Sequence, residues 1–66
     1  MATGVVRWFD PQRGTGLIVL DDGREVPVHR AQIDGGGSQS LSPHDRVQFD
    51  LHEADTGPAV TGVFRL

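Results

Sequence analysis

The chain has 66 residues, no cysteine, and six basic against nine acidic residues, for a formal net charge of −3. That length holds one small domain, residues 1–66, whose core supplies only about 3–5 kcal/mol without a staple, and the missing cysteines exclude disulfides and thiolate metal sites. The longest apolar run, residues 17–20, is too short to span a bilayer, no secretory apolar segment follows the N-terminus, and so small a domain seldom walls off a reaction pocket; a soluble, cytoplasmic domain without membrane association, cofactor or catalytic residues is expected.

Nine glycines and four prolines punctuate short runs rich in Val, Ile, Leu and Phe. This is the pattern of strands joined by tight turns, and no stretch carries the apolar stripe of a helix. A first strand is expected over roughly residues 4–10, ended by Asp10-Pro11 and Gly14. A second covers residues 15–20, with Thr15, Leu17 and Val19 on one face and Gly16, Ile18 and Leu20 on the other. Asp22-Gly23 signals a hairpin with a primed turn. The third strand, residues 25–29, puts Val26 and Val28 on one face and Glu25, Pro27 and His29 on the other. Pro27 is awkward there, because proline removes a ladder donor.

Residues 30–33 suit one short helical turn, and residues 35–40 form a flexible Gly/Ser-rich loop. A fourth strand over residues 46–52 turns Val47, Phe49 and Leu51 inward, residues 53–58 form a loop, and a fifth strand covers residues 60–65. Five short strands in 66 residues suit a small closed barrel, which removes exposed sheet edges. The charges are unevenly spread. Up to Ile33, four arginines balance four acids; beyond it, Arg46 and Arg65 face five acids.

The segments Val6-Arg7-Trp8-Phe9-Asp10 and Arg13-Gly14-Thr15-Gly16-Leu17-Ile18 resemble, in order and spacing, those of a bacterial cold-shock protein. Val26-Pro27-Val28-His29, the Ala31-Gln32-Ile33 corner, Leu41, Val47-Gln48-Phe49 and Gly57-Pro58-Ala59 extend the resemblance over almost the whole chain. It implies an all-β, five-stranded antiparallel barrel of the oligonucleotide-binding (OB) or cold-shock type. Strands one to three would carry an aromatic platform that stacks the bases of single-stranded RNA or DNA with low sequence selectivity. Such proteins loosen RNA secondary structure and modulate transcription or translation.

The platform departs from the family pattern. The motif K-G-F-G-F-I is here R-G-T-G-L-I, and V-F-V-H-F is V-P-V-H-R. Carried over position by position, Trp8, His29 and Phe9 remain, while the usual aromatics at 15, 17, 27, 30 and 38 are Thr15, Leu17, Pro27, Arg30 and Ser38. Each stacked base is worth about 1–3 kcal/mol. Leu17 and Pro27 still offer apolar faces, and the Arg30 guanidinium can stack on a base. Weaker binding than in aromatic-rich relatives is therefore expected, and the acidic total acts in the same direction.

Each candidate competes with a plainer reading. Trp8 could belong to the core, because strict alternation puts it on the same face as Val6. Phe9 could cover the barrel mouth, and His29 could be an ordinary surface histidine. Arg7, Arg13 and Arg30 are candidate phosphate or stacking contacts against the alternative of solvated charges, whereas Arg24 and Arg46 are taken as structural or solvated. The spacing of His29, His44 and His52 matches no common metal-ligand pattern. The competing function is a protein-interaction or self-association module, because Leu17 and Pro27 beside Trp8 would make an exposed apolar patch. A monomer is expected, with residues 35–37 a plausible hinge for a strand-exchanged dimer.

Overall fold

The period-2 apolar pattern becomes five strands in the computed structural model, which describes residues 2–34 and 40–66. They are β1 (Ala2–Asp10), β2 (Thr15–Leu20), β3 (Glu25–His29), β4 (Arg46–Ala54) and β5 (Gly57–Arg65), with a 3-10 turn at Arg30–Gln32. The sheet order is β3-β2-β1-β4-β5, and every neighbouring pair is antiparallel. The sheet curls until β3 approaches β5, and a bridge between Ile33 and Val63 nearly closes the barrel. The hinge expected at residues 35–37 and all but Ser40 of the loop expected over residues 35–40 lie outside the described residues.

Inward positions fill the barrel as alternation requires. Val6, Ile18, Leu20, Val26, Val28, Val47, Phe49, Val60 and Val63 come from the five strands, and Ile33 and Leu41 close the ends. Phe49 is the largest fully buried side chain, and no polar side chain among the described residues is buried. At about 1.5–3 kcal/mol for each large apolar side chain buried, these eleven residues are the main stabilising term. Leu51, expected inside, is half-buried and packs against the core from its margin.

Three local expectations are corrected. β1 begins at Ala2 rather than Gly4, because Ala2–Val5 pair with β4 in the register Ala2↔Phe49 to Val5↔Arg46. The expected 53–58 loop is mostly strand: Glu53↔Pro58 and Ala54↔Gly57 are in register, which leaves Asp55 and Thr56 as the hairpin turn. The β2–β3 turn is not a two-residue primed turn, since Asp22 does not adopt positive φ. Instead, Gly23 at φ 95 donates its N–H to the Leu20 carbonyl at 2.9 Å, and Leu20 N–H donates to the Arg24 carbonyl at 2.7 Å. That is a three-residue loop closed by a glycine bulge.

The difficulty with Pro27 disappears at the sheet edge. Leu20 N–H donates to Arg24 O, and Arg30 N–H donates to Gly14 O at 2.8 Å, so these two pairs are hydrogen-bonded. Antiparallel ladders alternate. Ile18↔Val26 and Gly16↔Val28 are therefore bonded pairs, and Leu17↔Pro27 is a non-bonded one. The ring nitrogen of Pro27 points away from β2, where no ladder donor is needed.

An ionic clasp holds the far end. Asp22 accepts from Arg24 N–H at 3.0 Å and Arg24 Nε at 2.8 Å, while Arg24 Nη1 reaches Glu53 Oε1 at 2.5 Å. The Arg24 backbone N–H and guanidinium hold the Asp22 carboxyl below its ordinary value. A depressed carboxylate stabilises the fold above its unfolded value, and that contribution is lost as pH falls through the folded one. Asp22→Asn should therefore slightly lower the thermal midpoint at neutral pH, and the gap from wild type should close in acid.

Gly16 is set by close approach rather than by turn geometry. A Cβ there would stand 2.6 Å from the Trp8 carbonyl oxygen and 2.7 Å from the Phe9 ring. The carbonyl cannot move without breaking the β1–β2 ladder. Gly16→Ala should cost about 1–3 kcal/mol, measured by urea unfolding, which is much of the margin of a domain this small.

Candidate nucleic-acid interface

The outer face of β1–β3 is built from three cross-strand rows. Asp10, Thr15 and His29 form the first, and Trp8, Leu17 and Pro27 the second. Val5, Val19 and Glu25 form the third. Because Leu17↔Pro27 and Thr15↔His29 are non-bonded pairs, their side chains stand at the closer of the two antiparallel spacings.

A bulge in β1 decides what the second row contains. Val6 pairs with Ile18, but the next register pair is Trp8 with Leu17, so Arg7 is the extra residue. Without the bulge, Arg7 would take a ladder position of its own and Trp8 would follow Val6 into the core. With it, Arg7 and Trp8 are both exposed, and Trp8 keeps 45% of its surface accessible beside Leu17. The bulge also turns Phe9 inward. Phe9 is in register with buried Gly16, packs against the core and is half-buried. Its ring covers Gly16 on the opposite side of the strand from Trp8.

His29 is oriented by the 3-10 turn that follows it. Its backbone N–H donates to Gln32 Oε1 at 2.9 Å, and its Nδ1 accepts from Ala31 N–H at 3.1 Å. The neutral ring therefore carries its proton on Nε2, which leaves an outward donor beside Thr15. Sequence reading missed Gln32. The signal, a polar side chain three residues after an N-cap, was hidden because histidine is not a usual capping residue.

The three candidate arginines are held loosely. Arg7 Nη1 lies 3.4 Å from Glu25 Oε2, with both side chains about half exposed. Arg13 Nε lies 3.8 Å from Asp10 Oδ2 and is largely solvated. Exposed pairs of this kind are worth about 0–1 kcal/mol, so an incoming phosphate can displace them at little cost. The Arg30 side chain lies across Gly14, where a Cβ would be 2.7 Å from Arg30 Cδ. Among the described residues Arg30 has no ion-pair partner.

The structure thus brings Trp8, Leu17, Pro27 and His29 together on one face, with Arg7, Arg13 and Arg30 around it. Arg24 lies elsewhere, in the clasp with Asp22 and Glu53. His52 lies on β4, hydrogen-bonded to Thr61 at 2.8 Å. Among the described residues no three His, Asp or Glu side chains gather as metal ligands.

Comparison with known proteins points to one family. Residues 2–66 match the model of the "Cold-shock" DNA-binding domain. A cold shock protein of Arthrobacter globiformis is 42% identical over 64 residues, covering 96% of each chain. A probable cold shock protein A of Mycolicibacterium smegmatis is 38% identical over the same length and coverage. Cold shock protein CspD of Bacillus subtilis is 36% identical over 66 residues and the whole of both chains. With barrel, register and full-length similarity in accord, the chain belongs to the cold-shock domain family, whose members are not enzymes.

Proposed function

We propose that the outer face of β1–β3 binds single-stranded RNA or DNA, with weaker affinity and low sequence selectivity compared with aromatic-rich relatives. The observation that carries this reading is the bulge-driven exposure of Trp8 in one row with Leu17 and Pro27 and next to His29. Trp8 supplies the stacking face. Leu17 and Pro27 supply an apolar floor, and the His29 Nε2–H is a donor for a base edge. Arg7, Arg13 and Arg30 neutralise phosphates. Phe9, half-buried against the core, contributes through what remains accessible of its side chain.

One full stack at about 1–3 kcal/mol is less than a platform of many rings would supply. Unpaired bases held here leave fewer strands free to pair, so duplex structure is disfavoured by mass action without bond chemistry. A cytoplasmic monomer working as an RNA chaperone, or modulating transcription or translation, fits that mode of action.

Titrating Trp8 fluorescence with a heptameric pyrimidine strand tests the reading directly. Saturable quenching that weakens as salt rises is expected, because each phosphate contact releases counterions. No quenching in a folded protein, or salt-insensitive association, would move the assignment to a protein-interaction surface. Trp8→Ala, followed by anisotropy of a labelled strand, should reduce affinity about 5-fold or more, the loss of one stacked base, and leave the barrel folded, since the residue lies outside the core. Thr15→Phe with Leu17→Phe should raise affinity for the same strand. Unchanged affinity would show that bases do not lie on these rows.

A further inference from the structure

We infer that the nucleic-acid interface continues past Trp8, over Val5 and Val19, into a groove flanked by Arg7, His44 and Arg46 that takes one further nucleotide of the bound strand. The inference rests on the platform reading, because the groove is the next row of that platform.

Val5 pairs with Val19 on β2 and with Arg46 on β4. The outer positions of a sheet with one solvated face are ordinarily polar. Here two half-buried valines stand side by side and prolong the apolar stripe of Trp8, Leu17 and Pro27. One row advances two residues along β2, about 6.8 Å. That is about twice the rise of a stacked nucleotide, room for one unstacked nucleotide. An open groove lies over the row, lined by Val5, Val6, Arg7, Val19 and His44.

His44 forms one wall at a conformational cost. Its φ is 73, and no other non-glycine among the described residues has positive φ. Two backbone hydrogen bonds hold it against β1: His44 N–H donates to Val6 O at 2.8 Å, and Val6 N–H donates to Asp45 O at 2.9 Å. Glycine would adopt this backbone freely, and such outliers cluster at binding sites. The imidazole at this position supplies a flat, polar-edged ring beside the valines, suited to the face of a base.

The cations identify the occupant as a strand with a phosphate backbone. Arg46 is exposed next to Val5, and among the described residues it has no ion-pair partner. Among the described residues Arg7 pairs with Glu25, at 3.4 Å on the surface, and can exchange that partner for a phosphate. The base would rest on Val5 and Val19 against His44, with its phosphate between the two arginines.

The test compares a thymidine tetramer with a heptamer at fixed low salt, by Trp8 fluorescence, for wild type, His44→Gly and Arg46→Gln. Wild type should bind the heptamer more tightly than the tetramer. Each variant should lose about 5-fold or more of heptamer affinity while tetramer affinity changes less than about 2-fold. His44→Gly should also raise the urea midpoint, so a loss of binding cannot be ascribed to unfolding. Variants that bind the heptamer as wild type does, or that weaken both strands equally, would overturn the groove and leave the platform standing. A wild type that binds neither strand would remove both readings.

Discussion

The one-residue bulge at Arg7 sets what the outer face of this barrel can do. Upstream of it, β1 alternates in phase with the core, and Val6 sits against Ile18. Downstream the phase is inverted, so Trp8 stands outside with Leu17 and Phe9 covers Gly16 from within. Because Arg7 bulges rather than pairs, Trp8 is presented and Phe9 is packed. The bulge also fixes the need for glycine at 16, because the Trp8 carbonyl and the Phe9 ring now occupy the space a side chain would take. Were Arg7 to take a ladder position of its own instead of bulging, Trp8 would turn into a core whose strand-borne side chains are mostly valines.

Much of the fold was legible because it follows from period-2 alternation. β2 and β3 were placed to the residue, and alternation separated Gly16-Ile18-Leu20 from Thr15-Leu17-Val19 and Val26-Val28 from Glu25-Pro27-His29, without saying which face of β2 is buried. The start of β1 was not placed, because Ala2 and Gly4 are weak strand formers, and Ala2 and Thr3 are held by pairing with β4. The β4–β5 hairpin was taken for a loop because Gly57 and Pro58 signal a break, whereas here they open a strand.

The site was legible by a different route. Alternation alone argued that Trp8 belonged with Val6 inside, and only the resemblance to cold-shock proteins argued otherwise. A bulge has no composition of its own at Arg7, so local pattern could not reveal it. The orientation of His29 was equally hidden. It depends on Gln32 reaching back to the His29 N–H and on Ala31 donating to Nδ1, contacts that exist only once the 3-10 turn has formed. Pro27 shows the converse case. Proline at a strand centre looked disruptive until the register placed its nitrogen on the open edge of β3, where a missing N–H costs no ladder bond and offers no template to another chain.

The net charge of −3 is a poor guide to the field at the platform. Arg7, Arg13, Arg30 and Arg46 border the outer rows, against Asp10 and Glu25. Much of the acidic excess lies elsewhere: Asp34 and Asp50 approach Gly62 on β5, Asp55 is in the β4–β5 turn, and Glu53 is engaged by Arg24. The molecule measures 30 × 20 × 18 Å, and the Debye length at physiological salt is about 8 Å. An exposed charge more than a Debye length away is largely screened, so a strand at β1–β3 responds chiefly to the charges that border it. The acidic total limits non-specific attraction of a polyanion at long range. The basic rim acts only on what comes within contact distance, so a sequence can be acidic in sum and still present a cationic edge to a phosphate chain.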